Sequence, residues 1–225
     1  MVTQLLPLLS FFPFVAADWL LTRLGLVQPY YTLHVVHNAV VVWMTAPDVV
    51  ATFTDVHNLT SYPTNTAAAA LVAAFHAYHV FRYWGKLNTD DWAHHGCMIG
   101  IAIPVGLFFG AGPLMGCSLF FATGLPGGIS YAILLAAWNG WLNRLTVKRW
   151  NSRIHTWLRA PGCIAHAAVT AAITLSSPLT PAEKMLGLGP AALMAWNGAY
   201  FMEQVVSDHA RRQAEARARE HEVMP

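Results

Sequence analysis

The sequence predicts an all-α, polytopic membrane protein of about seven transmembrane helices, and three observations lead there. Thirteen Lys and Arg with eleven Asp and Glu leave only 11% of the 225 residues charged, where a soluble domain carries about 25%. Hydrophobic residues make up 56% of the chain. Six stretches (1–17, 24–47, 56–81, 92–143, 160–182 and 185–202) contain no Asp, Glu, Lys or Arg at all. A helix needs about 20 apolar residues to cross the hydrocarbon core, whereas a barrel shows short alternating segments.

Taken in order, the first stretch places a span at about 4–22, retained because no early basic residue or small-residue cleavage site marks a signal peptide. The second and third stretches place spans at 31–50 and 66–84. Residues 92–143 form a 52-residue run, about 78 Å as helix, which suffices for two crossings. The turn signature Gly110-Ala111-Gly112-Pro113 divides it into spans at 93–110 and 114–143. Within the second of these, Thr123-Gly124-Leu125-Pro126-Gly127-Gly128 predicts a broken helix near Gly124–Gly128. The last two spans are placed at 162–177 and 185–206, so residues 1–206 form one transmembrane domain and 207–225 a polar helical tail.

Seven crossings put twelve of the thirteen basic residues on the C-terminal side and only Lys184 opposite. By the positive-inside rule the N-terminus is lumenal or outside, and the C-terminus lies in the cytosol, or the matrix or stroma. The sequon Asn58-Leu59-Thr60 then falls on the non-cytosolic side. A net charge of +2, without a dense basic face, argues against a nucleic-acid partner. Cys97, Cys117 and Cys163 lack CxxC spacing and read as small hydrophobes. Trp138, Trp141, Trp150 and Trp157 read as interfacial anchors.

Ionisable groups inside spans are costly and mark sites or bundle interiors. Here they are mostly histidines. His34, His37 and Asn38 share one face of the second span, and His76 and His79 repeat the i, i+3 spacing in the third. Asp91 precedes His94 by three residues and His95 by four, so its carboxylate is placed to orient an imidazole that acts as base or nucleophile. The candidate catalytic set is therefore His94, His95 and Asp91, with His34, His37, Asn38, His76, His79, Thr123, Ser130 and Tyr131 lining a cavity. Two HxxH pairs and one DxxHH fall short of the boxes of di-iron hydroxylases and desaturases, so no metal and no resident cofactor is assigned, and a His-box metalloenzyme stands as a lesser alternative.

The layout over about residues 30–205, with Asp90, Asp91, His94 and His95 opening the fourth span and a basic loop after the fifth, resembles the TLC-domain family of ceramide synthases and TRAM proteins. The resemblance implies a lipid of acyl or sphingolipid type as ligand or substrate, acyl-CoA as a co-substrate, and the endoplasmic reticulum as the membrane, with mitochondrial and plastid inner membranes as alternatives. Ceramide synthases complete their site with acids some two dozen residues after the His-His pair. Residues 118–131 here contain none, so the chain looks more like the small non-synthase members. A non-catalytic subunit that holds lipid or other membrane-protein chains in a larger complex is the rival expectation.

Overall fold

The computed structural model describes residues 2–26 and 28–223, with side chains described from residue 9 to 219 apart from Leu26's neighbour at 27. Among them there is no strand, and seven long helices follow one another. These are α1 (Val2–Arg23), α2 (Pro29–Thr54), α3 (Thr66–Tyr83), α4 (89–108), α5 (Pro113–Trp138), α6 (Arg144–Ser176) and α7 (Pro181–Val223). Three of them, α2, α5 and α6, are long and apolar enough to cross a membrane, which marks the chain as a membrane protein. Helices α3 and α4 are less apolar because they carry His76, His79, Arg82, Asp90, Asp91, His94 and His95.

Helix starts follow from local chemistry. Asn65 accepts from the Ala68 amide at 3.1 Å, Asn143 from Thr146 at 2.8 Å, and Asn88 with Asp91 forms a reciprocal capping box at the head of α4. Asn65 also donates to Asp48 at 2.8 Å and to the Met44 carbonyl at 2.9 Å, tying α3 to α2. The α4–α5 turn falls where its glycines predicted it. Gly112 has φ 54° and lies so close to the Leu59 carbonyl that a Cβ would stand 2.6 Å from the oxygen, while its amide donates to Thr64 Oγ1 at 2.9 Å.

The fifth helix is not broken. It runs unbroken from Pro113 to Trp138 and widens at Phe120–Gly124 into a π-turn, where the Leu125 amide donates to the Phe120 carbonyl. The same device recurs at Met98–Ala102 in α4 and at His155–Arg159 in α6. Each widened turn ends two residues before a proline: Pro104, Pro126 and Pro161. A proline cannot donate to the carbonyl four residues back and its ring collides with that group. Moving the hydrogen bond to the fifth residue opens the turn and admits the ring, so the helix continues where an interruption was expected.

Packing pairs α1 with α3, α2 with α5, and α6 with α7. One apolar cluster joins α2, α3, α4 and α5 through Val41, Ala69, Val72, Met98 and Leu119, and a second joins α5, α6 and α7 through Ala122, Cys163, Ala167 and Met194. Polar side chains are buried beside these clusters. On α2, His34, His37, Asn38, Thr45 and Thr52 are buried on one face while Val36, Trp43, Val50 and Phe53 are exposed on the other. Small residues bring backbones close: Gly116 of α5 faces Asp48 of α2, and Gly162 of α6 lies against the Phe121 ring of α5. Buried Asp18 on α1 receives Arg82 of α3 at 2.9 Å. Cys117 and Cys163 are buried and free, Cys97 is half-buried and free, and the four tryptophans read as anchors are exposed.

The segment after residue 206 is continuous with α7 and docks back on α6. Asp208 pairs with Lys148 of α6 and with Arg211 at 2.8 Å, and these cations hold its carboxyl below the usual carboxylate range. A depressed folded-state value means that the contribution is complete above the unfolded value, about 3.9, and fades as pH falls through the folded one. Amide exchange over residues 207–219 should therefore be flat from pH 7 down to about 4, after correction for intrinsic rates, and rise below it. Asp208→Asn should show the raised exchange already at pH 7, and wild-type-like protection in that variant would contradict the tie.

Candidate functional site

The bundle brings most of the expected polar residues into one continuous line of rings between α2, α3, α4 and α5. At its α5 end, Tyr131 lies over His34 with centroids 3.9 Å apart, and Tyr131 and Tyr30 hydroxyls meet at 3.2 Å. His34 continues to His79 at 5.9 Å, and His79 to His95 at 4.6 Å. His95 then meets His76 at 5.1 Å and His94 at 5.4 Å, and His76 meets His94 at 5.5 Å. Rings from α2, α3, α4 and α5 are thus joined in sequence. His94 and His95, adjacent in sequence, diverge by about 100° around α4, so that His95 packs towards His79 while His94 also meets Phe201 of α7 at 5.8 Å.

Backbone carbonyls fix two of the rings. His76 Nδ1 donates to the Val72 carbonyl at 2.8 Å, and His34 Nδ1 donates to the Tyr30 carbonyl at 2.9 Å, each one turn back on its own helix. A carbonyl only accepts, so Nδ1 carries the proton and Nε2 keeps the lone pair in both neutral rings. His95 Nδ1 is buried and has no hydrogen-bond partner among the described residues. A branch of the line leaves towards the middle of α5: His37 stacks on Phe75 at 4.0 Å and bonds Asn38 at 3.0 Å, and Thr123 donates to Asn38 at 3.4 Å. Thr123 reaches Asn38 from within the π-turn of α5.

Two expected members stand apart. Asp91 spends its carboxylate on the head of α4, accepting from the Asn88 amide at 3.1 Å, and no hydrogen bond joins it to His94 or His95 among the described residues. The structure shows that carboxylate in a capping bond, while the rings of His94 and His95 pack on neighbouring imidazoles. Ser130 has a buried hydroxyl without a hydrogen-bond partner among the described residues and does not join the line. The line is also densely packed. A cavity of about 20 Å³ opens beside His94, lined further by Cys97, Met194 and Asn197. A groove of about 660 Å³ lies elsewhere, where Leu134 and Trp138 of α5, Arg144 and Lys148 of α6, and Arg212 and Arg219 of α7 converge.

Three participants were not picked out from the sequence. Tyr30 precedes His34 by one helical turn, and Phe75 adjoins His76, so i, i+4 and neighbour relations would have suggested both. Arg159 is different. Counted among the basic residues of the C-terminal side, it turns inward from the α6 π-turn, donates to Asn197 Oδ1 of α7 at 2.9 Å and lies 4.6 Å over the Phe201 ring that meets His94. Nothing local in the sequence signals that turn inward, because it depends on the widened helix geometry ahead of Pro161.

The cap assignment separates two variants. Asp91→Ala should lower the stability of the start of α4 by about 1 kcal/mol. Asp91→Asn retains a side-chain acceptor and should lose much less. Equal destabilisation of the two, measured by reversible unfolding in bicelles, would return Asp91 to a role that needs its charge.

No family model matches the chain, and neither a curated protein nor a solved structure matches it.

Proposed function

We propose that this chain is a seven-crossing integral membrane protein of TLC-like layout that binds the polar part of a membrane lipid of acyl or sphingolipid type at His76, His79, His94 and His95 and acts on it by acid–base chemistry. The observation that carries the reading is the contact of these four imidazoles, with centroids 4.6–5.5 Å apart, inside a bundle whose outer surface is apolar. Ionisable side chains held within a membrane bundle mark functional sites by default, since burying them costs stability that packing residues alone would not. The neutral imidazole offers one donor and one acceptor, which suits proton transfer at a lipid hydroxyl, amine or ester. His76 Nε2, freed by the Val72 bond, is the acceptor best defined in position.

The orientation proposed is N-terminus lumenal or outside, from the positions of the basic residues, with the endoplasmic reticulum as the membrane. The basic and apolar groove between α5, α6 and α7 then lies at the cytosolic interface, where anionic head groups are concentrated. Native mass spectrometry of the protein released from nanodiscs tests the reading. Wild type should retain a defined lipid or acyl adduct, and His94→Ala with His95→Ala should reduce its occupancy at least about tenfold, a change of about 1.4 kcal/mol, while the melting transition persists. An unchanged lipid complement in the folded double variant would overturn it, and recovery solely within a stoichiometric complex of other chains, without a bound lipid, would favour the structural-subunit reading.

A further inference from the structure

We infer that His76, His94 and His95 form a three-imidazole site for a divalent transition-metal ion, with zinc as the probe. One ring nitrogen from each residue lies within 4.8 Å of one from each of the others. The stronger observation is the shape of the cluster. Its three centroid separations, 5.1, 5.4 and 5.5 Å, make a nearly equilateral triangle.

Three imidazoles bound through nitrogen at about 2.0–2.1 Å to one tetrahedral ion place their ring centroids about 5.2 Å apart, whereas right-angle ligation places them about 4.5 Å apart. The triangle matches the first arrangement, and tetrahedral ligation would draw the nitrogens to roughly 3.3 Å from one another.

The surroundings meet the other needs of such a site. His76 donates Nδ1–H to the Val72 carbonyl, which sets Nε2 as the ligand atom and holds the ring, the usual arrangement around a ligating histidine. His95 has a buried Nδ1 that no described group satisfies, although a buried polar nitrogen is ordinarily paired. No carboxylate is needed in this set, which accords with the use of Asp91 as a cap. The sequence argument against a metal concerned the boxes along the chain; the triad is assembled in space from α3 and α4, eighteen and nineteen residues apart.

The site shares residues with the lipid chemistry proposed above and does not depend on it, because metal is read with no lipid substrate added. The full chain, purified without a polyhistidine tag, would be stripped by chelator, incubated with zinc, and analysed by mass spectrometry for metal content and by X-ray absorption for ligation. The expected result is about one zinc per chain with three imidazole nitrogens at about 2.0–2.1 Å. His76→Gln and His95→Gln should each weaken binding at least about tenfold, while His79→Gln, outside the triangle, should retain it. Less than a tenth of an equivalent of zinc on folded wild type, or zinc held with fewer than three imidazoles, would overturn the site. The absorption measurement uses the wild type alone, so it decides the question even if a variant fails to fold. Zinc bound by a protein whose lipid complement is unaltered in the His94→Ala, His95→Ala variant would sustain the metal and reject the lipid reading.

Discussion

A hydrocarbon core offers no water to polar groups, and the structure follows from that constraint. Every backbone donor and acceptor must be satisfied within the helices, and every polar side chain must find a partner inside the bundle or reach an interface. The result is a set of helices with apolar outer faces, and inner faces that combine apolar clusters with the buried polar side chains. Residues such as His34, His37, Asn38, Thr45 and Thr52 on α2 are therefore buried for the same reason that Trp43 and Phe53 are exposed. Polar side chains also tie neighbouring helices together: Asn65 with Asp48, Arg82 with Asp18, Arg159 with Asn197.

Prolines test the same constraint from the backbone side. At Pro104, Pro126 and Pro161 the missing donor lies inside a long helix, and in each case the preceding turn widens so that the amide just before the proline reaches five residues back. The widened turns have chemical consequences, since Thr123 and Arg159 sit in them and reach neighbouring helices. Thr123 meets Asn38, and Arg159 meets Asn197 and Phe201. π-turns of this kind recur at functional sites because they redirect side chains that a regular helix would place elsewhere.

Much of this was legible in the sequence, for identifiable reasons. Charge-free runs and the Gly110–Pro113 turn marked the apolar helical stretches and their division, among them the three helices long and apolar enough to cross a membrane, because both depend on composition over many residues. Helical spacing put His34 with His37 and His76 with His79 on inward faces. What escaped depended on three dimensions. Asp91 stands three residues from both Asn88 and His94, and its carboxylate bonds in the local capping box. The sixth helix begins at Arg144, well before the expected span, because the Asn143 cap and an amphipathic first half carry it beyond the apolar run. Pro126 with its flanking glycines read as a break because the compensating π-turn is a property of the helix around it. The triangle of His76, His94 and His95 joins separate helices, and no spacing along the chain encodes it.

Imidazoles from α3 and α4 face one another within the bundle. A double-mutant cycle on His79 and His95, whose rings are 4.6 Å apart, tests it most directly through the unfolding free energies of wild type, His79→Ala, His95→Ala and the double variant in a lipid bilayer. Contact predicts a coupling above about 0.5 kcal/mol. Single effects that add to within about 0.3 kcal/mol would contradict the packed cluster and the chemistry built upon it.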